Sequence, residues 1–349
     1  MASAATVGSN HNSRSADGEI VADRGFWPGL SVSLKHNSRF AAFTLIAKGS
    51  YPAELDIPLP FSLVSNDENA GELVLMPGYW FRYNMYALAR NAAKTSARDK
   101  RIEKHQFLEF DWLAPDTVDQ MREARRILES WSEGMPDDSE TLYVGATRRI
   151  ENSSRPVKVV HVARAWRDYG RMIRLYVVRT LIEGHEGSAE SLFASIPSTR
   201  TPPDNWQNLG GQLVPESRMN NLLENVKNGE IQDWEAVHQA YKAMGEHYDA
   251  DKKTHALRIL KGMKEEFPEA PANAGGLLTE ALEVSSFILE GIRYSRRKDY
   301  DNPFRNITFD GDNERDAVIG RFEENAFIQV AREEFDEFTR KVKKILDRP

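Results

Sequence analysis

The alternation of apolar and polar positions divides the chain into two parts with different periods. Up to about residue 77, short apolar strings such as residues 31–34 and 61–66 alternate with Gly, Ser, Asn and Pro, which predicts short strands and tight turns. Beyond residue 77, apolar residues recur at helical spacing among charged ones, which predicts amphipathic helices with solvated faces. These helices are predicted at 80–104, 117–130, 167–183, 217–226, 232–248, 252–266, 274–295 and 313–346, with one strand at 157–162.

The same pattern predicts four segments. Residues 1–77 form the strand-rich part, and residues 78–195 form a helical region with a short strand. Four prolines within 196–215 predict a linker, and residues 216–349 form a helical C-terminal region. Asp116 and Asp312 are predicted helix N-caps. The expected fold class is therefore α+β.

Charge supports this division and excludes several classes of function. Residues 1–80 carry five basic and eight acidic side chains, whereas the rest of the chain carries 41 basic and 45 acidic ones. The net charge of −7 gives no reason to expect binding to nucleic acid or to a membrane surface. The absence of cysteine excludes disulfides and thiolate metal sites, and no apolar run has the length of a membrane span. With no signal-peptide pattern at the start, the expected location is the cytoplasm.

An identical tetrapeptide occurs twice in the strand-rich part. His11-Asn12-Ser13-Arg14 returns 25 positions later as His36-Asn37-Ser38-Arg39, each copy close to a short apolar or small-residue string. Self-similarity at a fixed period with little charge is a solenoid pattern, in which Asn and Ser suit the corners. The repeat predicts coils in which the two copies stack on one face.

The string Val7-Gly8-Ser9-Asn10 resembles the hexapeptide repeat of left-handed parallel β-helices. Those coils take about 18 residues, so a period of 25 implies an excursion of about seven, for which the turn at 23–29 is the candidate. Together with the segments 36–66 and 76–91, the chain resembles an uncharacterised bacterial family that joins an acyltransferase-like left-handed β-helix to a helical C-terminal region. The chain looks like the C-terminal portion of such a protein, so a short β-helix followed by helices, and a fragment of the full protein, are expected.

This resemblance implies acyl transfer to a sugar nucleotide or a related metabolite. His36 and His11 are then the candidate general bases, while Asn37 and Arg39 are candidates for holding a sugar or phosphate group. Acyl-CoA or an acyl carrier protein would be the donor, and a homo-oligomer is expected. The alternative is that the histidines are corner residues, and a structural repeat explains the duplication better than catalysis does.

A polar column lies on the first predicted helix. Asn84, Asn91 and Arg98 recur at every seventh position and therefore share one face of a helix that begins apolar. They are candidate substrate-binding residues, although the interpretation we favour is that they satisfy backbone groups at the open end of the coils.

No other motif in the sequence indicates a catalytic or binding site. The chain has no HExxH, GxGxxG or Walker loop, and Asp310-Gly311-Asp312 departs from a calcium-binding loop, so no metal site is expected. The run Arg296-Arg297-Lys298 is interpreted as a solvated charged face. Two functions remain: a transferase-like protein, or a non-catalytic module for structure and oligomerisation.

Overall fold

The structure of the chain is a computed structural model that describes residues 6–7, 19–104, 106–134, 141–145, 148–194 and 205–348. It combines helices with strands, as an α+β fold does. The strands are β1 (Thr6–Val7), β2 (Ile20–Ala22), β3 (Trp27–Pro28), β4 (Ser33–Leu34), β5 (Ser38–Phe40), β6 (Leu45–Ile46), β7 (Ser50–Tyr51), β8 (Asp56–Ile57), β9 (Leu63–Asp67), β10 (Glu72–Met76), β11 (Thr141–Val144), β12 (Val157–Val160), β13 (Trp206–Leu209) and β14 (Gln212–Pro215).

Helices dominate after residue 78. They are α1 (Tyr79–Tyr83), α2 (Met85–Ala97), α3 (Pro115–Trp131), α4 (Val162–Ile182), α5 (Ala189–Ala194), α6 (Glu216–Lys227), α7 (Trp234–Glu246), α8 (Tyr248–Glu266), α9 (Ala274–Asp301), α10 (Pro303–Asn306), α11 (Asp312–Ile319) and α12 (Ala326–Leu346). Within the described ranges, no helix combines the length and hydropathy required to cross a bilayer.

The chain forms two compact units. The first contains Met1–Phe81 and Pro115–Ile173, and the second contains Arg82–Ala114 and Arg174–Pro349. Each unit therefore draws on two separate stretches of sequence, an arrangement that hydrophobic periodicity alone does not reveal.

The first unit is built on three parallel sheets to which the chain returns at a regular interval. The sheets are β1-β4-β7, β2-β5-β8 and the run β3-β6-β9 of a larger sheet. Residues paired between neighbouring strands are 17 or 18 positions apart from β2 onward, as in Ile20↔Ser38, Arg39↔Asp56 and Leu45↔Leu63. The first pairing, Thr6↔Ser33, spans 27 positions.

The two tetrapeptide copies were expected to lie one coil of about 18 residues and an excursion of about seven apart, and the described strands from β2 onward pair at 17 or 18 positions. Ser38 and Arg39 pair with residues of β2 and β8, and the first tetrapeptide copy, with His11, lies outside the described residues. The turn at 23–29 is not an excursion, because it contains strand β3, which pairs with β6. The hydrogen-bond register of the described strands sets an interval of 17 or 18 positions from β2 onward.

Strands β1 to β9 form a three-sheet segment, and one of its corners recurs at a constant spacing. Gly25, Phe43 and Phe61 have φ of 77°, 56° and 56°, the left-handed conformation, and each follows the previous one by 18 positions. The Phe43 and Phe61 rings stack at 4.9 Å, and Phe61 also contacts the Phe81 ring at 4.7 Å. Gly25 has to be glycine, because an added Cβ would lie 2.4 Å from the Phe43 ring.

The last strands of the sheets are covered by elements of the first unit. β9 pairs with the antiparallel strand β10, and β10 continues the sheet through β12 and β11. Beside β8, the Asp56 N–H donates to the Ile150 carbonyl at 2.9 Å, and the Asn152 N–H donates to the Glu54 carbonyl at 2.9 Å. Backbone groups beside β8 thus find backbone partners within the first unit, whereas Asn84, Asn91 and Arg98 belong to the second unit.

Three helix boundaries differ from prediction for identifiable reasons. Helix α3 begins at Pro115, a residue suited to the first helical position, and the predicted cap Asp116 instead accepts two hydrogen bonds from Arg24. Gly311 rather than Asp312 caps α11. The predicted helix 313–346 is divided after Ile319, where Gly320 has φ of 79° and Asn325 caps α12. In the predicted linker, residues 206–215 form the hairpin β13–β14.

Stability below neutral pH should depend on Glu151, a buried carboxylate beside the last strands. Burial opposes its ionisation, but hydrogen bonds from Arg155 and Ser153 outweigh that effect and lower the pKa of Glu151. A lowered native pKa stabilises the fold above the unfolded value of about 4.3, and the contribution is lost as pH falls through the native pKa. We expect the difference in unfolding free energy between wild type and Glu151→Gln to be constant from neutral pH to about pH 5 and to shrink below it.

Urea unfolding between neutral and acidic pH measures this difference. The matched control is Glu68→Gln, an exposed position, which we expect to change stability by less than about 0.5 kcal/mol. A difference for Glu151→Gln that stays constant throughout the acidic range would contradict the assignment.

Candidate functional site

The second tetrapeptide copy occupies a corner of the three-sheet segment. His36 is 3% exposed, and Asn37 has φ of 61°, the left-handed conformation expected of a corner asparagine. The Ser38 hydroxyl donates to the Lys35 carbonyl and accepts from the Leu55 N–H, which joins successive strands. A general base has to be reached by its substrate, so the burial of His36 favours the structural interpretation.

Arg39 also has an internal partner. Its Nε and Nη2 donate to the two carboxylate oxygens of Asp56 at 2.9 and 2.8 Å, and Asp56 is the residue paired with it on β8. Hydrogen bonding to Asp56 raises the pKa of Arg39. The guanidinium fork that a phosphate would require is therefore occupied by a neighbouring strand.

The three residues of the polar column differ in burial within the second unit. Asn84 precedes the helix as its N-cap without a side-chain capping bond, Asn91 is half-buried, and Arg98 is exposed. Helix α2 packs against α9 within this unit. The three residues do not line either of the cavities described below.

A cavity of about 810 Å³ opens between α2, α4, α8, α9 and α12 of the second unit. Its apolar walls come from all of these helices except α8 and from the segment 110–113, which precedes α3. Small side chains of α2, including Ala92 and Ala93, leave room that larger residues would fill. The apolar lining consists of Ala89, Ala92, Ala93, Phe110, Trp112, Leu113, Leu175, Ile288, Leu289, Ile292, Phe327, Ala331, Phe335 and Phe338. This size and lining match the sites at which proteins bind small molecules.

Charged side chains occupy other parts of the same lining. Arg179 donates to Asp111 at 3.0 Å, and the Lys341 Nζ lies 3.0 Å from Glu183. Part of Glu334 is exposed, but desolvation at its carboxyl raises its pKa, against the opposing effect of Arg179. The cavity thus combines an apolar interior with a charged margin.

A buried polar network supports the wall formed by α4 and α8. The Tyr176 hydroxyl, which lines the cavity, lies 2.9 Å from His255 Nδ1, and both residues are buried. Tyr248 donates a hydrogen bond to Glu109, and the Lys252 Nζ lies 3.6 Å from the same carboxylate. These contacts fix the backbone of α8 where Lys252 enters the lining.

A second cavity, of about 500 Å³, adjoins the start of α12. It is lined by Tyr86, Arg90, Arg296, Ile319, Asn325, Ala326 and Phe327. Phe327 lines both cavities. Arg296 belongs to the run interpreted from sequence as a solvated face, yet its side chain is only 17% exposed.

Neither cavity was predicted from the sequence. Their lining residues lie between positions 86 and 341 on helices whose packing is a tertiary property. One signal was available, since α2 contains five alanines, three of which, at 89, 92 and 93, line the larger cavity. Among the described residues, no group of three or more His, Asp or Glu side chains is arranged to hold a metal ion.

Comparisons with known proteins identify similar sequences, but the descriptions of these sequences name no activity. Residues 9–132 match the family described as "Domain of unknown function (DUF4954)", and residues 189–273 match "Domain of unknown function (DUF6819)". A protein of Treponema pallidum (strain Nichols), described as "Uncharacterized protein", is 39% identical over 354 residues, which cover 96% of this chain and 48% of that protein. The chain therefore spans about half the length of the curated relative that it matches. No solved structure matches the chain.

Proposed function

We propose that the second unit binds a small molecule with an apolar body and a polar head, and that this ligand is the acyl donor of a transferase-like protein. The observation that carries the proposal is the cavity of about 810 Å³, whose apolar interior suits an acyl chain and whose charged margin suits a polar head group. Acyl-CoA or an acyl carrier protein would supply such a chain, and a sugar nucleotide or related metabolite would accept it.

The interval of the three parallel sheets supports the transferase-like part of the proposal. Three strands per turn and a spacing of 17 or 18 positions between paired strands agree with a left-handed β-helix, the fold implied by the family resemblance. In this proposal the β-helix is the scaffold. His36 and Arg39 hold its corners, and the helical unit holds the ligand.

Binding of an acyl-CoA series by the intact chain tests this function. We expect the stabilisation by ligand, measured as a thermal shift, to increase from CoA through acetyl-CoA and octanoyl-CoA to dodecanoyl-CoA. Each methylene that enters the cavity contributes about 0.8 kcal/mol, or roughly fourfold in affinity. Equal shifts across the series would contradict an acyl site.

A cavity-filling variant locates the binding. Ala93 is exposed in the lining, so Ala93→Trp should occupy the cavity without disturbing the core, and we expect it to abolish the dependence on chain length. Ala97→Trp is the matched control, because Ala97 is exposed on the same helix and is absent from the lining. Loss of binding in both variants would place the effect outside the cavity.

The alternative function is a non-catalytic module for assembly. The pairing of Arg39 with Asp56 and the burial of His36 favour it, since both candidate residues serve the three-sheet segment itself. Sedimentation equilibrium distinguishes the two. A stable homo-oligomer that binds no acyl-CoA and no UDP- or GDP-sugar would support the assembly module.

A further inference from the structure

The smaller cavity of the second unit combines two arginines with the start of a long helix. Arg90 reaches it from α2 and Arg296 from α9, while Ala326 and Phe327 are the first two residues of α12. These groups come from three elements that are far apart in sequence. Such convergence is the arrangement by which proteins bind anions.

Arg296 is held in a fixed orientation with unused hydrogen-bonding capacity. Its guanidinium lies 5.3 Å from the Tyr86 ring centroid and 5.4 Å from that of Tyr300, and one terminal nitrogen donates to Asp299 at 2.6 Å. Its Nε is buried and has no hydrogen-bond partner in the described part of the chain. The Arg296 side chain thus reaches the cavity in an orientation fixed by two tyrosine rings and Asp299.

Arg90 adds a second cation. It is half-buried, it lines the cavity, and it forms no ion pair with the carboxylates of the described residues. Two carboxylates near this cavity are each shared by more than one arginine. Asp299 pairs with Arg296 and Arg305, and Glu323 pairs with Arg293, Arg297 and Arg332. Arg90 therefore brings to the lining a charge that no described carboxylate pairs with, and this charge favours an anionic ligand.

The start of α12 supplies backbone donors. Asn325 caps this helix of 21 residues by accepting from the Ile328 N–H, and the Asn325 amide also donates to the Tyr86 hydroxyl at 3.2 Å. The N–H groups of Ala326 and Phe327 precede the first intrahelical hydrogen bonds and are left for other acceptors. Their partial positive charge adds to that of the two arginines.

We propose that this cavity is a binding site for a phosphate group. A tetrahedral oxyanion accepts hydrogen bonds from several directions, which matches guanidinium and backbone donors that converge from three elements. Because Phe327 lines both cavities, the phosphate belongs to the ligand whose apolar body occupies the larger one, and this last step rests on the proposed function.

Calorimetric titration of the full chain with inorganic phosphate and with pyrophosphate tests the site, at an ionic strength held constant with sodium chloride. We expect saturable binding by the wild type and a loss of at least about tenfold in affinity for Arg90→Gln. Arg297→Gln is the matched control, since it removes the same charge from an exposed side chain outside the lining, and it should bind like the wild type. No saturable binding by the wild type, or equal affinity in Arg90→Gln, would overturn the proposal.

Octyl phosphate separates this proposal from that of the larger cavity. If one ligand spans both cavities, octyl phosphate binds more tightly than inorganic phosphate, and Ala93→Trp removes this gain while leaving the affinity for inorganic phosphate unchanged. If octyl phosphate binds no more tightly although phosphate binds, the phosphate site stands and the claim that one ligand spans both cavities fails, while the acyl-CoA series alone decides the acyl-binding function. If phosphate does not bind, the phosphate site fails, whatever the acyl-CoA series shows.

Discussion

Replacing Phe61 by alanine should destabilise the first unit by about 3–5 kcal/mol. The Phe61 side chain is fully buried and lies between the rings of Phe43 and Phe81, and Phe81 meets Tyr169 edge to face. Its removal leaves a cavity in the middle of this aromatic series and takes an aromatic contact from each neighbour.

A glycine at the same position tests the backbone contribution separately. Glycine usually costs about 0.5–1 kcal/mol more than alanine, because it loses more conformational freedom on folding. At position 61, however, φ is 56°, and a residue with a Cβ pays about 1–2 kcal/mol for the left-handed conformation. We therefore expect Phe61→Gly to be at least as stable as Phe61→Ala.

Urea unfolding followed by circular dichroism measures both variants. Phe304→Ala is the control, since the Phe304 side chain is 85% exposed and its loss should change stability by less than about 0.5 kcal/mol. A clearly lower stability of the glycine variant than of the alanine variant would contradict the backbone argument. An unchanged midpoint for both would contradict the aromatic series.

The second large effect is expected at Arg174, which lies on α4, one of the helices that line the larger cavity. Arg174 is 4% exposed, its Nε and Nη2 donate to both carboxylate oxygens of Glu280 on α9, and its Nη1 donates to Glu269 at 2.8 Å. Burial opposes the charge of Arg174, but hydrogen bonding to Glu280 and the charges of both carboxylates outweigh it and raise its pKa. These bonds join α4 to α9 directly beside the lining residue Leu175.

Arg174→Ala leaves two carboxylates without their partner, and we expect a cost of about 3–5 kcal/mol. The matched control is Arg126→Ala, which removes an exposed partner of Glu123 and should cost less than about 1 kcal/mol. Urea unfolding measures both. A similar small loss in the two variants would mean that the Arg174 network is not a buried structural element.

These two sites differ in what they imply for function. The Phe61 series stabilises the three-sheet segment, so its variants should leave the affinity of the second unit for acyl-CoA unchanged as long as the chain is folded. Arg174 orients the wall of the larger cavity, so the conservative variant Arg174→Lys should weaken acyl-CoA binding as well as stability, because an ammonium group cannot replace the two-point bond to Glu280.

Local periodicity was sufficient to predict several of the helices and one strand. Helices α3, α6, α8 and α9 and strand β12 lie at or near the predicted positions, because apolar spacing and turn residues are properties of neighbouring sequence. Asparagine was also expected at the corners, and Asn37 has the left-handed conformation there, since asparagine tolerates positive φ through its own side chain.

The sequence indicated the recurring corner of the three-sheet segment only in part. Gly25, Phe43 and Phe61 are evenly spaced in sequence, but two phenylalanines at positive φ are contrary to the usual preference for glycine, so residue type gave little indication of them. The identical tetrapeptide was more conspicuous and less informative. Its separation of 25 positions does not match the interval between stacked strands, which is set by hydrogen-bond register rather than by residue identity.

What the sequence determined by itself is the division into a strand-rich part and a helical part, together with the elements in each, because these depend on the composition and spacing of adjacent residues. Tertiary structure alone decided that Arg39 faces Asp56, and that Arg296 is stacked between two tyrosines in a cavity rather than solvated with its neighbours. It also decided that Arg90, Arg296 and the start of α12 converge, although up to 237 positions separate them. The physical reason is that burial and electrostatic environment depend on distances in space, which chain position does not specify once helices pack against one another.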